Sequence, residues 1–354
     1  MIEYSLASPA DIPDLVTLWN ASMPEGYRLG ERVLGQILRD DPYYEAHGHW
    51  IARDSLRAAS SYSNESADGN IIGWVLSKSM CKAGSEVGRF QNRGGIGALC
   101  VHPHYQRRGI GTQLTERAEA WLAQNASPQT LLYFPHQLLP GVPIECEAAR
   151  FFFEQRGYGD SQGATPQDRK PWRECVDLER DLSDYQVPPE ARAALENNVS
   201  VRIRPAREDE SEAIIAFVAG EFPGAWTYTT RSHFQQGGAA ADFIIVSEAD
   251  SADDSSSIIG FCHTCDFRSA RLLANTFWLV EREKYFGGLG PIGVAAAHRK
   301  RGLGLALCAF AVDDLKRRGV QRMGIDWTNL IEFYGRMGFV VRRRYLQGER
   351  NTLS

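Results

Sequence analysis

Two short basic segments, each ending in a pair of glycines, are the residues of this sequence best suited to chemistry. They are Gln106-Arg107-Arg108-Gly109-Ile110-Gly111 and Arg299-Lys300-Arg301-Gly302-Leu303-Gly304. Glycine lacks a Cβ atom, so a bulky phosphate can approach the backbone N–H groups closely. The neighbouring basic side chains add charge and donors. This combination predicts a site for a pyrophosphate.

Each basic segment lies between two regular elements that the sequence also predicts. An apolar stretch ending at Val101 or Val294 precedes it and is typical of a strand. The first turn of the helix that follows has unpaired N–H groups and a partial positive charge, which favours an anion. The helix is predicted because apolar residues recur at spacings of four, seven and eight: Leu114, Ala118, Trp121 and Leu122 in one case, and Leu303, Leu307, Phe310 and Ala311 in the other.

Other phosphate-binding motifs fit less well. The dinucleotide fingerprint GxGxxG is not met, because Leu114 and Leu307 stand where its third glycine would fall. A P-loop would need Gly-Lys followed by Ser or Thr, which is absent. One Arg-x-x-Gly-x-Gly segment is a weak signal, but its double occurrence with matching flanking elements is a strong one.

The double occurrence extends over most of the 354 residues. The two glycine segments are offset by 193 positions, which indicates two domain copies rather than a solenoid. The segment Val187-Pro188-Pro189 interrupts regular structure and indicates a boundary. We therefore expect a first domain at 1–182, a linker at 183–199 and a second domain at 200–354. Serine-rich polar loops at 60–70 and 247–257 are expected to contribute little to either core.

Composition excludes several classes of function. A net charge of −5 argues against general nucleic-acid binding. No stretch approaches the roughly 20 apolar residues of a membrane helix, and the N-terminal residues lack the features of a signal peptide. Seven scattered cysteines suggest reduced thiols, so a cytoplasmic protein is expected. Cys262 and Cys265 form a CxxC pair on a predicted strand, where they would face opposite sides, so no metal site is predicted.

The paired motifs resemble those of the GCN5-related N-acetyltransferase (GNAT) superfamily, whose signature is Gln/Arg-x-x-Gly-x-Gly/Ala at a helix start. The resemblance implies an α/β fold with mixed sheets, as two tandem acyl-CoA N-acyltransferase domains. It also implies acetyl-CoA as co-substrate, with its pyrophosphate on the glycine loops and its pantetheine arm along the preceding strand. The implied acetyl-CoA contacts are Leu99, Cys100, Val101, Gln106, Arg107, Arg108, Gly109, Ile110, Gly111 and Thr112 in the first domain, and Ile292, Gly293, Val294, Arg299, Lys300, Arg301, Gly302, Leu303 and Gly304 in the second.

The family also has a late tyrosine, four residues before Gly-Phe, that commonly protonates the departing CoA thiolate. Tyr334 stands at this position before Gly338, whereas the first domain has Phe153, which has no proton to give. The resemblance therefore predicts that the second domain is catalytic. Tyr334 could instead pack near the core. Asn329, just before the same predicted helix, could cap that helix or contact CoA.

Acyl transfer to an amine also requires a neutral amine and a polarised thioester carbonyl. Asp326 is a candidate general base, although it could equally be a structural carboxylate. Backbone N–H groups near Ile292 and Val294 are the expected donors to the carbonyl oxygen. The resulting prediction is acetyl transfer to an amine of a small molecule or peptide. A sensor or scaffold that binds acyl-CoA without turnover, and another acyltransferase on the same double fold, are the alternatives. An oligomer is possible, and the acceptor is not identified by the sequence.

Overall fold

The computed structural model describes residues 1–41, 44–55, 71–126, 129–133, 138–159, 172–248 and 258–351. The predicted polar loop at 60–70 and most of the one at 247–257 lie outside these ranges. The strands are β1 (Ile2–Leu6), β2 (His49–Asp54), β3 (Ile71–Ser79), β4 (Gly94–Val101), β5 (Gln129–Leu131), β6 (Val142–Pro143), β7 (Arg173–Asp181), β8 (Val201–Pro205), β9 (Phe243–Glu248), β10 (Ile258–Asp266), β11 (Phe286–Val294), β12 (Arg322–Thr328), β13 (Val340–Gln347) and β14 (Glu349–Asn351).

The α-helices are α1 (Ile12–Ser22), α2 (Glu31–Leu38), α3 (Ile110–Asn125), α4 (Glu147–Gln155), α5 (Pro189–Glu196), α6 (Ser211–Glu221), α7 (Ala225–Gln235), α8 (Leu303–Arg317) and α9 (Ile331–Gly335). Short 3-10 helices cover Pro9–Asp11, Ala46–Gly48, Cys81–Phe90, Pro103–Tyr105, Glu208–Glu210, Ala240–Asp242, Ala274–Thr276 and Ala296–His298.

The chain forms two compact units, and the chain ends are not divided between them as the sequence suggested. Unit 1 comprises Met1–Gly84, Phe90–Cys175 and Arg344–Ser354, and unit 2 comprises Ser85–Arg89 and Val176–Arg343. Most of β7, which the expected boundary assigned to the first domain, therefore belongs to unit 2. The last residues of the chain, which were expected in the second domain, belong to unit 1.

The two sheets have the same plan. In unit 1 the strand order is β1-β2-β3-β4-β5-β14, with the β4/β5 pair parallel and every other pair antiparallel. In the second sheet the strands β8-β9-β10-β11-β12-β7 follow the same plan, with only the β11/β12 pair parallel among them, and β13 lies beyond β7. The expected fold class, α/β with mixed sheets, is confirmed.

Helices cover both faces of the unit 2 sheet. Successive residues of a strand point to opposite faces, so neighbouring residues pack against different helices. Ile244 and Cys262 pack with α8 in one core cluster. Their neighbours Phe243, Ile245 and Phe261 pack with α6 in another. The cysteines at 262 and 265 accordingly have different surroundings: Cys262 lies in the cluster with α8, whereas the Cys265 thiol contacts Thr276 Oγ1 at 3.8 Å.

The segment expected to be a linker contains the helix α5. Pro188 occupies its N-cap and Pro189 its first turn. Proline is tolerated there, because the first N–H groups of a helix have no intrahelical partner and φ is already suitable. Ala191 of α5 is buried in the unit 2 core. The Pro-Pro pair thus begins a packed helix instead of interrupting structure.

None of the helices that the structure describes is both long enough and apolar enough to cross a membrane. Within the same ranges, no three His, Cys, Asp or Glu side chains come together in a way that could hold a metal ion.

Candidate active site

The glycine loop of unit 2 turns directly into α8. Lys300 and Gly302 have φ angles of 64° and 78°, in the left-handed region that favours glycine. The Gly302 carbonyl accepts N–H bonds from Leu305 and Ala306, both at 3.1 Å. The amides of Leu303 and Gly304 precede these first intrahelical bonds and belong to the turn that binds anions.

The two glycines of this loop have different surroundings. A methyl group on Gly304 would have no neighbour within 4 Å, so its backbone is open to a bulky ligand. A methyl group on Gly302 would lie 2.8 Å from Cβ of Ala194, on α5. Gly302 is therefore required by packing as well as by its backbone angle, whereas Gly304 is not constrained by neighbouring atoms.

Two of the basic side chains of the loop are engaged in holding its shape. Arg299 Nε donates to the carbonyl oxygen of Val294 at 3.1 Å. Arg301 Nε donates to Oδ1 of Asn198 at 3.0 Å, and its guanidinium lies 2.9 Å from Nδ1 of His298. Arg301 therefore stabilises the loop through its contacts with Asn198 and His298, a role that the sequence did not predict.

A cavity of about 260 Å³ lies beside the loop. It lies between the end of β11, the glycine loop and the segment from Leu330 to Tyr334. β11 and β12 pair only as far as Gly288 and Gly324, so the part of β11 that lines the cavity is not paired with β12. The lining residues are Ile292, Gly293, Val294, His298, Arg299, Lys300, Gly302, Leu303, Gly304, Leu330, Phe333 and Tyr334. Three of these, His298, Leu330 and Phe333, were not predicted from the sequence, whereas the predicted residues Arg301, Asn329 and Asp326 are absent from this lining.

The edge of β11 that faces away from β10 lies towards this cavity. The Ala295 N–H donates to the carbonyl of Ile259 at 2.8 Å, so that amide points towards β10. Amides alternate in direction along a strand, so those of Ile292 and Val294 point the other way. The Val294 carbonyl shares this direction, since the Arg299 side chain of the loop reaches it.

Tyr334, on α9, is 5% exposed and lines the cavity. Its ring packs edge-on against Phe333 and Phe339, and its hydroxyl makes no hydrogen bond within the described part of the chain. Burial raises the pKa of the phenol far above its usual range, with smaller contributions from Cys308, Cys262 and Asp326. The phenol therefore keeps its proton at neutral pH.

Asp326, on β12, is a carboxylate in surroundings that disfavour its charge. Burial raises its pKa to about 6, against the opposing effects of its own backbone N–H and the side-chain amide of Asn275. Its charge in turn contributes to the raised pKa of Tyr334, so the two groups interact across the site.

The sequence profile of the Acetyltransferase (GNAT) family matches residues 18–138 and 179–339. The chain belongs to this family. The expected family and the tandem arrangement are thereby confirmed. A search of curated proteins found no match.

Several solved structures share the fold over almost the whole chain. A GCN5-related glucosamine N-acetyltransferase region of a fungal multi-domain GH3 β-N-acetylglucosaminidase is 24% identical, with a TM-score of 0.81. The match covers 99% of this chain but only 38% of the length of the fungal chain. A GNAT from Sphaerobacter thermophilus is 19% identical over 99% of this chain and 96% of its own, with a TM-score of 0.61. A tandem GNAT protein of the clavulanic acid pathway is 12% identical over 100% and 99%, with a TM-score of 0.63.

The first GNAT unit has the same loop geometry as the second. Arg107 and Gly109 have φ angles of 61° and 80°, and Gln106 Nε2 donates to the Val101 carbonyl at 3.0 Å. A methyl group on Gly111 would have Val101 Cγ2 as its nearest neighbour, at 3.7 Å. The predicted contacts Leu99, Cys100, Ile110 and Thr112 lie on the β4 strand and the first turn of α3.

The first unit lacks both candidate catalytic groups. Phe153 is buried in its core, with its ring centroid 5.2 Å from that of Tyr158. The parallel strand pairs Gly94–Thr130 and Gly287–Met323 are offset by the same 193 positions, which places Tyr133 at the position of Asp326. The Tyr133 hydroxyl is held by Arg173 and Glu349. The spacing of 193 would have revealed this difference in the sequence.

The short helix α9 does not begin at Asn329, as the capping interpretation required. Leu330 occupies its N-cap, and the Leu330 N–H donates to Oγ1 of Thr328 at 3.1 Å. Asn329 is exposed and lies one residue before the cap, so the capping interpretation is wrong.

Proposed function

We propose that this chain is an acetyl-CoA-dependent N-acetyltransferase whose catalytic unit is unit 2. The observation that carries the proposal is the single cavity that the end of β11, the glycine loop and Tyr334 line together. An anion-binding turn, an open strand edge and a buried proton donor then line one space.

In this proposal the glycine loop of unit 2 binds the pyrophosphate of acetyl-CoA through the amides of Leu303 and Gly304. The edge of β11 at Ile292, Gly293 and Val294 pairs with the pantetheine arm. The amides of Ile292 and Val294, directed away from β10, are placed to donate to the thioester oxygen as negative charge develops on it.

Asp326 accepts a proton from the ammonium form of the acceptor, and the neutral amine attacks the thioester carbonyl. The carbon–sulfur bond then breaks, and the departing thiolate takes the phenol proton of Tyr334. Tyr334 regains a proton from the acylated nitrogen or from water. The net reaction converts an ammonium ion and a thioester into an amide, a thiol and one released proton.

The pKa of Asp326 suits this role. A carboxyl with a pKa of about 6 is mostly ionised at neutral pH, yet it is more basic than an exposed aspartate. Neutralising a lysine-like amine at pH 7 costs about 4–5 kcal/mol, against about 1 kcal/mol for an α-amine. The base therefore matters most for acceptors of high pKa.

For unit 1 we propose acyl-CoA binding without turnover. It keeps the loop geometry of unit 2, but Phe153 and Tyr133 stand where unit 2 has a proton donor and a candidate base. Unit 1 would then act as a sensor or scaffold. The alternative to the proposed function is that the whole chain does so.

The test is release of free CoA thiol from acetyl-CoA in the presence of a panel of amines, including small amines, peptides and glucosamine. Glucosamine is included because one structural neighbour is described as a glucosamine N-acetyltransferase region. Amine-dependent thiol release with formation of the N-acetyl product supports the proposal. Binding of acetyl-CoA without turnover of any amine favours the sensor.

A further inference from the structure

A buried amide that makes no hydrogen bond of normal geometry lies beside Asp326. Asn275, in the 3-10 turn Ala274–Thr276, is only 7% exposed. Its proximity lowers the pKa of Asp326, but neither Nδ2 nor Oδ1 makes a hydrogen bond of normal geometry within the described residues. Burying such a group without partners is unfavourable, and native structures rarely accept this without a ligand, a water molecule or another use for the group.

The sheet is shaped to receive this turn. Gly288 and Gly324 are partners in the last paired position of β11 and β12. A side chain on Gly288 would overlap the Asn275 amide, and one on Gly324 would overlap the Asn275 backbone oxygen. The corresponding pair in unit 1 is Gly95 and Leu131. Only unit 2 therefore has the glycine pair that lets a turn rest on the sheet here.

The amide and the carboxylate meet above Gly290. A methyl group on Gly290 would lie 3.6 Å from Nδ2 of Asn275 and 4.0 Å from Oδ1 of Asp326, with no other contact within 4 Å beyond its chain neighbours. Gly290 lies in an irregularity of β11, between Leu289, which pairs with Thr264, and Ile292, which pairs with Cys262. Ile292, two positions further along β11, lines the cavity.

We propose that this space binds the acceptor and that Asn275 selects amines carrying a hydroxyl on the adjacent carbon. The inference rests on the proposed acyl transfer in unit 2. In this arrangement Asp326 accepts a proton from the ammonium group of the acceptor, and Nδ2 of Asn275 donates a hydrogen bond to the oxygen of the neighbouring hydroxyl group. A hydroxyl suits an unpaired amide, because both groups can donate and accept. The acceptor class is therefore the vicinal amino alcohols.

The experiment compares two ring amines that differ only in this hydroxyl, trans-2-aminocyclohexanol and cyclohexylamine, with the wild type and Asn275→Leu. We expect the wild type to have the lower KM for the amino alcohol. Asn275→Leu should raise that KM by about tenfold relative to the KM for cyclohexylamine, the equivalent of one hydrogen bond, because any effect of the substitution through Asp326 is common to the two amines. The affinity for acetyl-CoA should change little. Asn275→Ser, which keeps a hydroxyl donor, should lie between the two. It also replaces Asn275→Leu if that variant fails to fold.

Equal KM values for the two amines in the wild type, or an equal effect of Asn275→Leu on both, would overturn the inference while leaving acyl transfer intact. Absence of turnover with every amine is failure of the proposed function. Calorimetry of trans-2-aminocyclohexanol with the CoA complex separates the two cases. Binding that Asn275→Leu weakens supports the site even without turnover, and no binding overturns it.

Discussion

A methyl group added to Gly302 would come within 2.8 Å of Cβ of Ala194, because α5 packs against the start of α8. A bulky residue at Gly302 would therefore disturb the packing of the fold as well as any phosphate that binds to the loop. Gly304, whose side-chain position is open, is the position at which phosphate binding can be tested without disturbing the fold.

Gly304→Val is expected to weaken acetyl-CoA binding by at least about tenfold, since its side chain would occupy the space that the phosphate needs. The melting temperature should change little, because no atom lies within 4 Å of the added Cβ and the φ angle of Gly304 is ordinary. Isothermal titration calorimetry and thermal melting of the same preparation measure both quantities.

Two matched variants complete this test. Gly302→Val should lower the melting temperature, because it combines the clash with Ala194 and a left-handed φ of 78°, a strain of about 1–3 kcal/mol. Gly111→Val places the same side chain in the loop of unit 1. If Gly304→Val leaves CoA affinity unchanged, the loop of unit 2 is not the phosphate site.

Tyr334→Phe should reduce turnover by roughly 10²–10⁴ and leave the Kd for acetyl-CoA nearly unchanged, because it removes only the proton donated to the leaving thiolate. Steady-state kinetics with the best amine of the panel measures the first effect. Phe153→Leu is the matched control in unit 1, where no phenol is present to lose. Full activity of Tyr334→Phe, with loss of activity in Gly111→Val, would place catalysis in unit 1.

The dependence of kcat/KM on pH should show an acid limb near pH 6. Asp326 must be ionised to accept a proton, and burial raises its pKa to about 6, so activity should fall about tenfold for each unit of pH below that value. Asp326→Asn should abolish this limb and lower activity at neutral pH. A profile that is flat from pH 5 to pH 7 in the wild type would exclude Asp326 as the base.

Asp326→Asn should lower activity but raise the melting temperature at neutral and alkaline pH. In the folded chain the pKa of Asp326 is about 6, above its usual value of 3.8, so the folded state binds the proton more tightly than the unfolded state. The cost of burying the charge is therefore absent below about pH 4 and complete above about pH 6. Asp326→Asn should raise the melting temperature at pH 8 more than at pH 4. An equal change at both values would contradict the raised pKa.

Removal of residues 348–354 should destabilise unit 1 and spare unit 2. Strand β14 pairs with β5 from Glu349–Leu131 to Asn351–Gln129, and Arg350 bonds Glu119 at 3.0 Å. Loss of several hydrogen bonds should cost at least about 2 kcal/mol. Hydrogen exchange followed by mass spectrometry should show lost protection in β5 and unchanged protection in α8. Equal protection of β5 in the full and shortened chains would show that β14 contributes nothing.

Much of the fold could be predicted from local sequence patterns. The helices α3 and α8 were predictable because glycine at the start and a regular apolar face both favour the same element. The cavity-lining residues of the loop followed from the repeated motif, and those of β11 from the resemblance to the GNAT superfamily. Local patterns do not specify which strands pair when the strands are distant in sequence. A simple division of the chain therefore assigned β7 and β14 to the wrong units.

Tertiary contacts explain the remaining differences. Proline at 188 and 189 is compatible with either a linker or a helix start, and only the packing of Ala191 decides between them. Asn275 gave no sequence signal, because its significance depends on a glycine pair 13 and 49 residues further along the chain. The role of Arg301 likewise depends on Asn198, which lies 103 positions away.

The placement of β14 also bears on how the chain is made. Residues 1–175 leave the ribosome first, but their sheet lacks its last strand until residues 349–351 have been synthesised. The last strand of the second sheet, β13, ends at Gln347, shortly before β14. At usual rates of synthesis the edge of β5 would wait about 10–40 seconds for its partner, a period in which an open strand edge invites pairing with other chains. The unit translated first therefore keeps an open sheet edge for most of translation, and we expect it to depend on chaperones during that time.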